Sequence, residues 1–376
     1  MACTDPADLP LRGVVVADFT RVLAGPLATM VLADLGAEVI KIEQPGVGDE
    51  TRGWGPPFVG DDAAYFLSAN RNKRSVALDL KSPADLEVTQ AVIAGADVLV
   101  ENFRPGVMES FGLDYESLRN VHPHLVYCSM PAFAHESQSG APGYDLLMQA
   151  LAGYLSFTGS SDGAPAKIGV ALLDEVAGLY AVVAILGALR LRDLNGAGRH
   201  VTVGLFEASV AGLANQAASY LASGTVPSPA GTSHPSIVPY QMFEAADGGF
   251  VLAAANDKHF LATCRVIGRE ALSRDPRFVT NAQRTVNRIE LVELLHEEFR
   301  RRPAATWVEE LRRAGVPAAP VRDLGDVFAS PEGEAMVTEV ADPVRGSLKM
   351  VRSPLRGIGL HPADYTPPPV LGNGER

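Results

Sequence analysis

The acid with the clearest chemical context is Asp174, which lies in Gly169-Val-Ala-Leu-Leu-Asp-Glu-Val-Ala-Gly178 at the mouth of the most apolar helical stretch. An acid at this place can be a plain N-cap, because its oxygens accept from free backbone N–H groups. It can also be a nucleophile, since carboxylates form covalent intermediates in group transfer. The residues alone favour the N-cap, and the adjacent Glu175 would point elsewhere on a helix.

A second candidate pair, Tyr144-Asp145, precedes Asp174 in Gly143-Tyr-Asp-Leu146. A tyrosine near a proline turn is commonly a packing residue with a satisfied hydroxyl. Its reference pKa of about 10 also makes tyrosine a poor base near neutrality. Chemistry that depends on proton abstraction by Tyr144 is therefore disfavoured.

Basic residues cluster at Arg71, Lys73 and Arg74, and Lys81 and Arg104 follow along the chain. Such side chains have a physical reason to contact a phosphate-bearing ligand, although a lone Lys or Arg is usually a solvated charge. Two interpretations of the cluster stay open: part of an anion site, or a solvated turn.

The loop Ala230-Gly-Thr-Ser-His-Pro-Ser236 is rich in small residues and lies beside a linker. We predict a mobile lid that includes Gly231 and His234. His234 is of a type that titrates near neutrality, but a structural turn histidine is the equal alternative.

The elements that position these residues begin with strand Val14–Phe19, a helix near Pro26–Leu35 and strand Glu38–Glu43, which form a βαβ unit. Alternation continues, with further strands predicted at Ser75–Leu78, Ala96–Val100, Leu125–Met130 and His200–Leu205, and helices at Ala84–Ala94, Glu175–Leu191 and Glu207–Leu221. This order predicts an α/β fold with a Rossmann-like, doubly wound parallel sheet, whose ligand site lies at the carboxyl ends of the strands. The helix Glu175–Leu191 is apolar on nearly every face, so we expect it to be buried.

The first turn argues against a nicotinamide dinucleotide, although the second strand ends in Glu43. The turn Thr20-Arg-Val-Leu-Ala-Gly-Pro26 has one glycine where the dinucleotide fingerprint needs three. Its proline also lacks the N–H that a phosphate would need. We predict no NAD.

The composition changes at Ser223–Pro239, which is rich in Gly, Pro, Ser and Thr and indicates a linker. Beyond it we predict a hairpin, Tyr240–Phe243 with Phe250–Ala255, and helices at Lys258–Gly268, Val286–Arg300 and Ala305–Ala314. Residues 1–222 would form the first part of a large domain, and residues 223–326 a smaller α+β domain with its linker. Residues 327–376 would return to the large domain, with a Pro- and Gly-rich tail wrapping over another domain or subunit.

The amino-acid composition further narrows the class of protein to which the chain can belong. The chain has 376 residues, of which 47% are hydrophobic and 20% charged, and these are sufficient for a large core. A net charge of −12 argues against nucleic-acid binding. The three cysteines have no metal-ligand spacing, the N-terminus has no apolar signal region, and no apolar run is judged long enough to span a bilayer. We therefore expect a cytoplasmic protein without a metal or a membrane partner.

The run AGPLATMVLADLGAEVIKIEQPGVGDETR, residues 24–52, resembles the opening signature of the class III CoA-transferases. This CaiB/BaiF-type family includes formyl-CoA and carnitine CoA-transferases and α-methylacyl-CoA racemases. The resemblance continues, in the family's order, through NRNKRSVALDLK, ADVLVENFRPGVMESFGL, GYDLLMQALAG, GRHVTVGLFEA, HPSIVPYQMFEAADGGFVLAAANDKHF and DPRFVTNAQRTVNR. It covers essentially the whole chain.

The resemblance implies that Asp174 is the nucleophile and that Tyr144 assists it. It also implies contacts to coenzyme A from Leu23, Ala24, Gln44, Leu78, Lys81, Asn102, Phe103, Arg104 and Asp145. An intertwined homodimer is implied as well. Leu23 and Ser110 depart from the formyl-CoA transferases, and the HPS/PYQ form of the lid suggests small dicarboxylates such as succinate.

The expected activity is transfer of CoA from an acyl-CoA to a carboxylic acid, through an aspartyl anhydride and an enzyme-CoA thioester. A carboxylate suits this reaction because the mixed anhydride keeps the acyl group activated. The alternatives are an acyl-CoA racemase or epimerase on the same fold, which needs two bases at the α-carbon, and a non-catalytic CoA sensor.

Overall fold

The computed structural model describes residues 8–135, 142–160 and 162–374, which divide into two units. The first unit comprises Met1–Tyr154, Lys167–Val226 and Glu334–Arg376, and the second Leu155–Ala166 and Pro227–Gly333. These boundaries differ by several residues from the predicted ones at 222 and 326. The sequence also gave no sign that Leu155–Ala166 joins the second unit.

A six-stranded parallel sheet forms the centre of the first unit, in the order β5-β2-β1-β6-β7-β8. The strands of the unit, including a short antiparallel pair β3 and β4, are β1 (Val15–Asp18), β2 (Glu38–Glu43), β3 (Phe58–Val59), β4 (Asp62–Ala63), β5 (Lys73–Ala77), β6 (Val98–Glu101), β7 (Val126–Ser129) and β8 (His200–Thr202). Strand β1 pairs with β2 on one side and β6 on the other, so the strand order reverses at β1. The prediction of an α/β fold with a parallel sheet is confirmed.

The helices of this unit are α1 (Ala24–Asp34), α2 (Ala64–Ser68), α3 (Pro83–Ala94), α4 (Val107–Ser110), α5 (Tyr115–Leu118), α6 (Asp145–Leu151), α8 (Leu172–Asn195), α9 (Leu205–Gly212) and α10 (Ala214–Ser223). Helix α7 (Tyr154–Phe157) begins at the last residue of the unit before Leu155, and its other residues belong to the second unit. The single helix predicted over Glu207–Leu221 was wrong. It is two helices, because Ala214 has a positive φ of 44° that interrupts regular helical geometry.

Helix α8 is buried along one face, so the prediction of burial holds for that face only. Its inner face packs on α1 and α9, whereas Leu179, Val183 and Leu194 are 53%, 66% and 65% exposed. By length and composition alone this helix could cross a membrane, contrary to the expectation that no apolar run is long enough. Half of its most apolar stretch is buried, as in the core helix of an α/β unit, and a cytoplasmic location stays a prediction.

The predicted basic cluster does not form a free cationic surface. Lys73 is fully buried and pairs with Asp18 at 3.1 Å, Arg71 pairs with Asp34, and Arg74 pairs with Glu38 at 2.7 Å. These three basic residues are therefore ion-paired. Their carboxylate partners come from β1, α1 and β2, so the pairing could not be predicted from the local sequence.

The second unit has a three-stranded antiparallel sheet in the order β11-β10-β9. Its elements are β9 (Tyr240–Glu244), β10 (Gly249–Ala253), α11 (Asp257–Val266), α12 (Asn281–Val286), α13 (Arg288–Phe299), α14 (Ala304–Arg313), β11 (Ala318–Pro320), α15 (Leu324–Ala329) and α16 (Pro331–Glu334). Its core contains Phe243, Phe250, Phe299 and Trp307. The hairpin was predicted, and the helix predicted at Val286–Arg300 is observed as α13, whereas the short α12 that precedes it was not predicted.

The C-terminal segment adds an antiparallel pair to the first unit, β12 (Val337–Asp342) with β13 (Gly346–Val351). The chain up to Gly374 then runs along the β5 edge of the parallel sheet, where the Gly374 N–H donates to the Ser75 carbonyl at 2.8 Å. Arg52 also donates to the Pro369 carbonyl at 3.1 Å.

Candidate active site

A cavity of about 150 Å³ lies beside the first turn of α8 and contains Asp174 in its wall. Its other walls follow the carboxyl ends of four parallel strands: 21–24 after β1, 102–105 after β6, Met130 and Ala132 after β7, and Val203 and Leu205 after β8. Tyr144 completes it. Five of the predicted contacts, Leu23, Ala24, Asn102, Phe103 and Arg104, line this same cavity.

Asp174 is the third residue of α8, so it is not the N-cap, and the interpretation favoured by local sequence was wrong. The N-cap position belongs to Ala171. Asp174 is only 7% exposed, and neither a hydrogen bond nor a cation is among the influences on its pKa. Burial, reinforced by the charges of Asp145 and Glu175, raises the pKa of Asp174 to about 7. The group is thus an unpaired carboxyl balanced between its two protonation states near neutrality.

Asp145 supplies the capping hydrogen bond that Asp174 does not. Its Oδ1 accepts from the Leu173 N–H at 2.9 Å, and its Oδ2 accepts from Gln149 at 2.5 Å. Gln149 in turn accepts from the Ile168 N–H at 2.9 Å. Asp145 lies outside the lining of the cavity. Asp145, the first residue of α6, therefore holds the start of α8 in place, and it acts on Asp174 through its position and its charge.

Tyr65 is a neighbour of the site that the sequence did not identify. Burial and then the charges of Asp174 and Asp145 raise the pKa of Tyr65 to about 12, which places its phenol in the field of the site acids. Trp54 packs edge-on against it, with ring centroids 5.4 Å apart. Trp54 follows the family motif that ends at Arg52, whereas Tyr65 lies in the short helix α2, outside the motifs that carry the family resemblance.

The turn after β1 is held from several directions. Asn102 accepts from the Arg21 N–H at 2.9 Å and donates to the Arg21 carbonyl at 2.7 Å, and the fully buried Lys41 donates to the Thr20 carbonyl at 2.6 Å. Val22 adopts φ 70°, an unfavourable conformation for a β-branched residue. Because the Asn102 amide is engaged in this way, its first role here is to brace the turn.

A second cavity, of about 260 Å³, lies on the other side of this turn. It is lined by the remaining predicted contacts Gln44, Leu78 and Lys81, and it shares Arg21 and Phe103 with the Asp174 cavity. The Arg21 guanidinium stacks over the Phe103 ring at 4.9 Å. Two adjoining cavities whose walls include the cationic side chains of Arg21, Lys81 and Arg104 fit a long anionic ligand such as an acyl-CoA, whose phosphates and thioester are at opposite ends.

The predicted lid residues Gly231 and His234 belong to the second unit. His234 Nδ1 accepts from the Ser236 N–H at 3.1 Å, and its ring packs on Tyr240. These contacts form a local turn, while a lid function stays a prediction. Within the described residues, no group of three His, Cys, Asp or Glu side chains could hold a metal ion.

Comparison with known proteins identifies the class. The family model described as CoA-transferase family III matches residues 11–375. Succinyl-CoA:glutarate CoA-transferase of Homo sapiens is 39% identical over 366 residues, covering 96% of this chain and 84% of the human protein. Succinate–glutarate CoA-transferase of Agrobacterium fabrum is 40% identical over 333 residues, covering 87% and 83%. The crystal structure of a CAIB/BAIF family protein from Brucella suis has a TM-score of 0.85 at 40% identity and covers 97% of both chains.

The chain belongs to CoA-transferase family III. The prediction of an enzyme that transfers CoA is confirmed, and the racemase alternative is not favoured by the relatives.

Proposed function

We propose that this enzyme transfers CoA from succinyl-CoA to a small dicarboxylic acid of the glutarate type, with Asp174 as the nucleophile. The observation that carries the proposal is the single cavity that Asp174 shares with Tyr144 and with residues from the ends of four strands. The names of the relatives from Homo sapiens and Agrobacterium fabrum support the substrate pair. CoA and its thioesters are then substrates held by both cavities.

In the first half-reaction the Asp174 carboxylate attacks the thioester carbonyl carbon of the donor, and the C–S bond breaks. The CoA thiolate leaves, and a mixed anhydride joins the acyl group to Asp174. The thiolate then attacks the Asp174 carbonyl carbon, which releases the donor acid and leaves an aspartyl-CoA thioester. The acyl group stays activated throughout, because an anhydride and a thioester are both reactive acyl donors.

In the second half-reaction the acceptor carboxylate attacks the aspartyl thioester and displaces the thiolate, which forms a second anhydride. The thiolate attacks the acceptor carbonyl carbon of this anhydride, so acyl-CoA leaves and the Asp174 carboxylate is regenerated. The Tyr144 hydroxyl and backbone N–H groups at the start of α8 would stabilise the oxyanions. Closure of 230–236 would exclude the water that hydrolyses anhydrides.

Trapping the covalent intermediate tests the nucleophile. The enzyme would be incubated with succinyl-CoA, acetyl-CoA or butyryl-CoA, treated with hydroxylamine or borohydride, and its peptides analysed by mass spectrometry. We expect modification of the peptide that contains Asp174, strongest with succinyl-CoA and missing in Asp174→Asn. Modification of Glu175 instead, or transfer that persists in Asp174→Asn, would overturn the assignment.

We also propose that a second copy of the chain covers the exposed side of α8 in a homodimer of the interlocked kind that the family resemblance implies. Leu179, Tyr180, Val183, Leu191 and Leu194 are all 40% exposed or more. Their spacing puts them on one side of the helix, since a residue turns about 100°. Exposed apolar stripes of this kind mark association surfaces. Light scattering on a size-exclusion column should give twice 39.7 kDa, whereas a monomeric mass would contradict the proposal.

A further inference from the structure

Three cationic side chains line the two cavities without a carboxylate partner in the described part of the chain: Arg21, Lys81 and Arg104. Other arginines of the first unit, such as Arg52 and Arg71, form buried ion pairs instead. Unpaired cations in the wall of a cavity are free to bind anionic parts of a ligand.

The three cations are distributed unequally. Lys81 lines only the second cavity and Arg21 lines both. Arg104 lines the Asp174 cavity and also a third cavity beside Glu101 and Tyr127, and it is not part of the second one. A CoA thioester that presents its carbonyl to Asp174 and extends into the second cavity passes Arg21 and reaches Lys81 with its phosphates. Arg104 is left at the acyl end.

We infer that Arg104 binds the remote carboxylate of a dicarboxylic acyl group or acceptor while Asp174 reacts with the other end. This inference rests on the proposed function and names the residue that selects the substrate class. It differs from the family resemblance, which implies a contact of Arg104 with CoA itself.

The remainder of the Asp174 cavity supports this assignment. Its walls include the apolar side chains Leu23, Met130, Val203 and Leu205, and its other charged residues besides the two arginines are the acids Glu50 and Asp174. A monocarboxylic acyl chain would leave Arg104 without a partner. A dicarboxylic one can place its free carboxylate against the planar guanidinium, which offers two parallel N–H donors.

The backbone around Arg104 is held in place, as a selective contact requires. The Phe103 N–H donates to Glu101 at 3.0 Å, and the Val107 N–H donates to the Arg104 carbonyl at 3.1 Å. Asn102 is tied to Arg21 on both sides of its amide. The side chain of Arg104 itself is exposed, so we expect selectivity of about 10- to 100-fold, as for a charged hydrogen bond that keeps some contact with water.

The test compares succinyl-CoA with butyryl-CoA, which has the same four carbons and a methyl group in place of the carboxylate. Steady-state kcat/KM would be measured for wild type, Arg104→Gln, Arg104→Lys and Arg21→Gln, together with the affinity for free CoA. Arg313→Gln is the control, because Arg313 forms an exposed ion pair with Glu309 on the solvent side of α14 in the second unit. Circular dichroism would verify the fold of each variant.

We expect Arg104→Gln to lower kcat/KM for succinyl-CoA about 10- to 100-fold, with little change for butyryl-CoA or free CoA, and Arg104→Lys to recover part of the loss. Arg21→Gln should weaken both thioesters and free CoA alike. Equal losses with both thioesters in Arg104→Gln, or weaker binding of free CoA, would overturn the inference and assign Arg104 to the cofactor.

Failure of the proposed function would look different. If wild type does not prefer succinyl-CoA over butyryl-CoA, the dicarboxylate part of that proposal is wrong. If wild type shows the preference and Arg104→Gln keeps it, the substrate class stands and the assignment of Arg104 falls.

Discussion

Asp174 is a carboxyl group that must be ionised to attack a thioester, yet its surroundings oppose ionisation. Burial and two neighbouring acids raise its pKa to about 7, although it lies in the first turn of a helix, where negative charge is favoured. A poorly solvated, unpaired carboxylate is more reactive than one held by several hydrogen bonds. The cost is that only part of the enzyme carries the reactive form near neutrality.

The pH profile should show this directly. Because the reactive form is the carboxylate, kcat/KM for the acyl-CoA should rise about tenfold per pH unit below 7 and level off above it, since this ratio reports groups of the free enzyme. The measurement is the initial rate from pH 5 to 8.5, corrected for uncatalysed thioester hydrolysis. A profile that is flat down to pH 5 would contradict a raised pKa.

Asp145 provides a second test of the same electrostatics. Its charge contributes more to the raised pKa of Asp174 than that of Glu175. Asp145→Asn keeps an oxygen that can accept from Leu173, so it removes charge while preserving the cap. We expect the midpoint of the kcat/KM profile to move to lower pH by several tenths of a unit, and by less in Glu175→Gln. An unchanged midpoint with a lower plateau would mean that Asp145 matters only through positioning.

At the scale of single elements, the approach of α8 to α1 decides where Asp174 lies. Gly178, one turn after Asp174, is so close to α1 that a Cβ there would be 2.7 Å from the Ala24 carbonyl oxygen. Ala24 itself lines the Asp174 cavity. A small residue at this position of α8 therefore allows the first turns of α8 and α1 to pack closely together.

Gly178→Ala should consequently harm both stability and catalysis. The added methyl group must push α8 away from backbone, which we expect to cost about 1–3 kcal/mol and to lower kcat at least tenfold. Gly187→Ala is the matched control on the same helix, because its Cβ would meet nothing within 4 Å of its own chain. Since Gly187 lies between Val183 and Leu191 on the side proposed to meet a second copy, light scattering must first show that this variant keeps the wild-type mass. That change should leave kcat unaltered and raise stability slightly, by up to about 1 kcal/mol. Thermal melting and steady-state rates would separate the two, and equal behaviour would contradict the packing argument.

The same elements show what could be predicted from sequence. Strand periodicity located β1, β2, β6 and β7, and the family motifs placed Asp174, Tyr144 and the turn after β1 in one site. The predictions failed where the role of a residue depends on partners that are distant in sequence. Asp145, not Asp174, caps α8, and Arg71 and Lys73 are ion-paired with acids distant in sequence. Tyr65 lies in the five-residue helix α2, which is too short to show a periodic pattern, and Arg21 lies in the irregular turn after β1.

At the scale of the whole molecule, the C-terminal segment completes the first unit through buried charge. The Arg345 side chain is 2% exposed and lies between Asp342, at 2.6 Å, and Asp62, and it also donates to the Pro368 carbonyl at 3.0 Å. Asp62 in turn pairs with Arg52 at 2.8 Å, and Arg52 with Glu43 at the end of β2. This series of ion pairs connects Glu43, at the end of β2 and in the wall of the second cavity, with the hairpin of β12 and β13.

Removing the cation from this chain should therefore loosen the C-terminal segment. Arg345→Leu leaves the buried Asp342 without its cationic partner and leaves Asp62 with Arg52 alone, for which we expect a loss of roughly 3 kcal/mol. Arg74→Gln, which breaks an exposed pair with Glu38, should cost less than about 1 kcal/mol and is the control. Because a chain of two units need not unfold in one step, hydrogen exchange of peptides from 337–351 is the better readout. Those amides should exchange faster in Arg345→Leu alone, and Arg345→Lys should recover only part of the protection, because an ammonium cannot reach both carboxylates in the geometry of the guanidinium. Equal exchange in Arg345→Leu and Arg74→Gln would mean that apolar contacts of Val340 and Leu348 hold the hairpin without the buried charges.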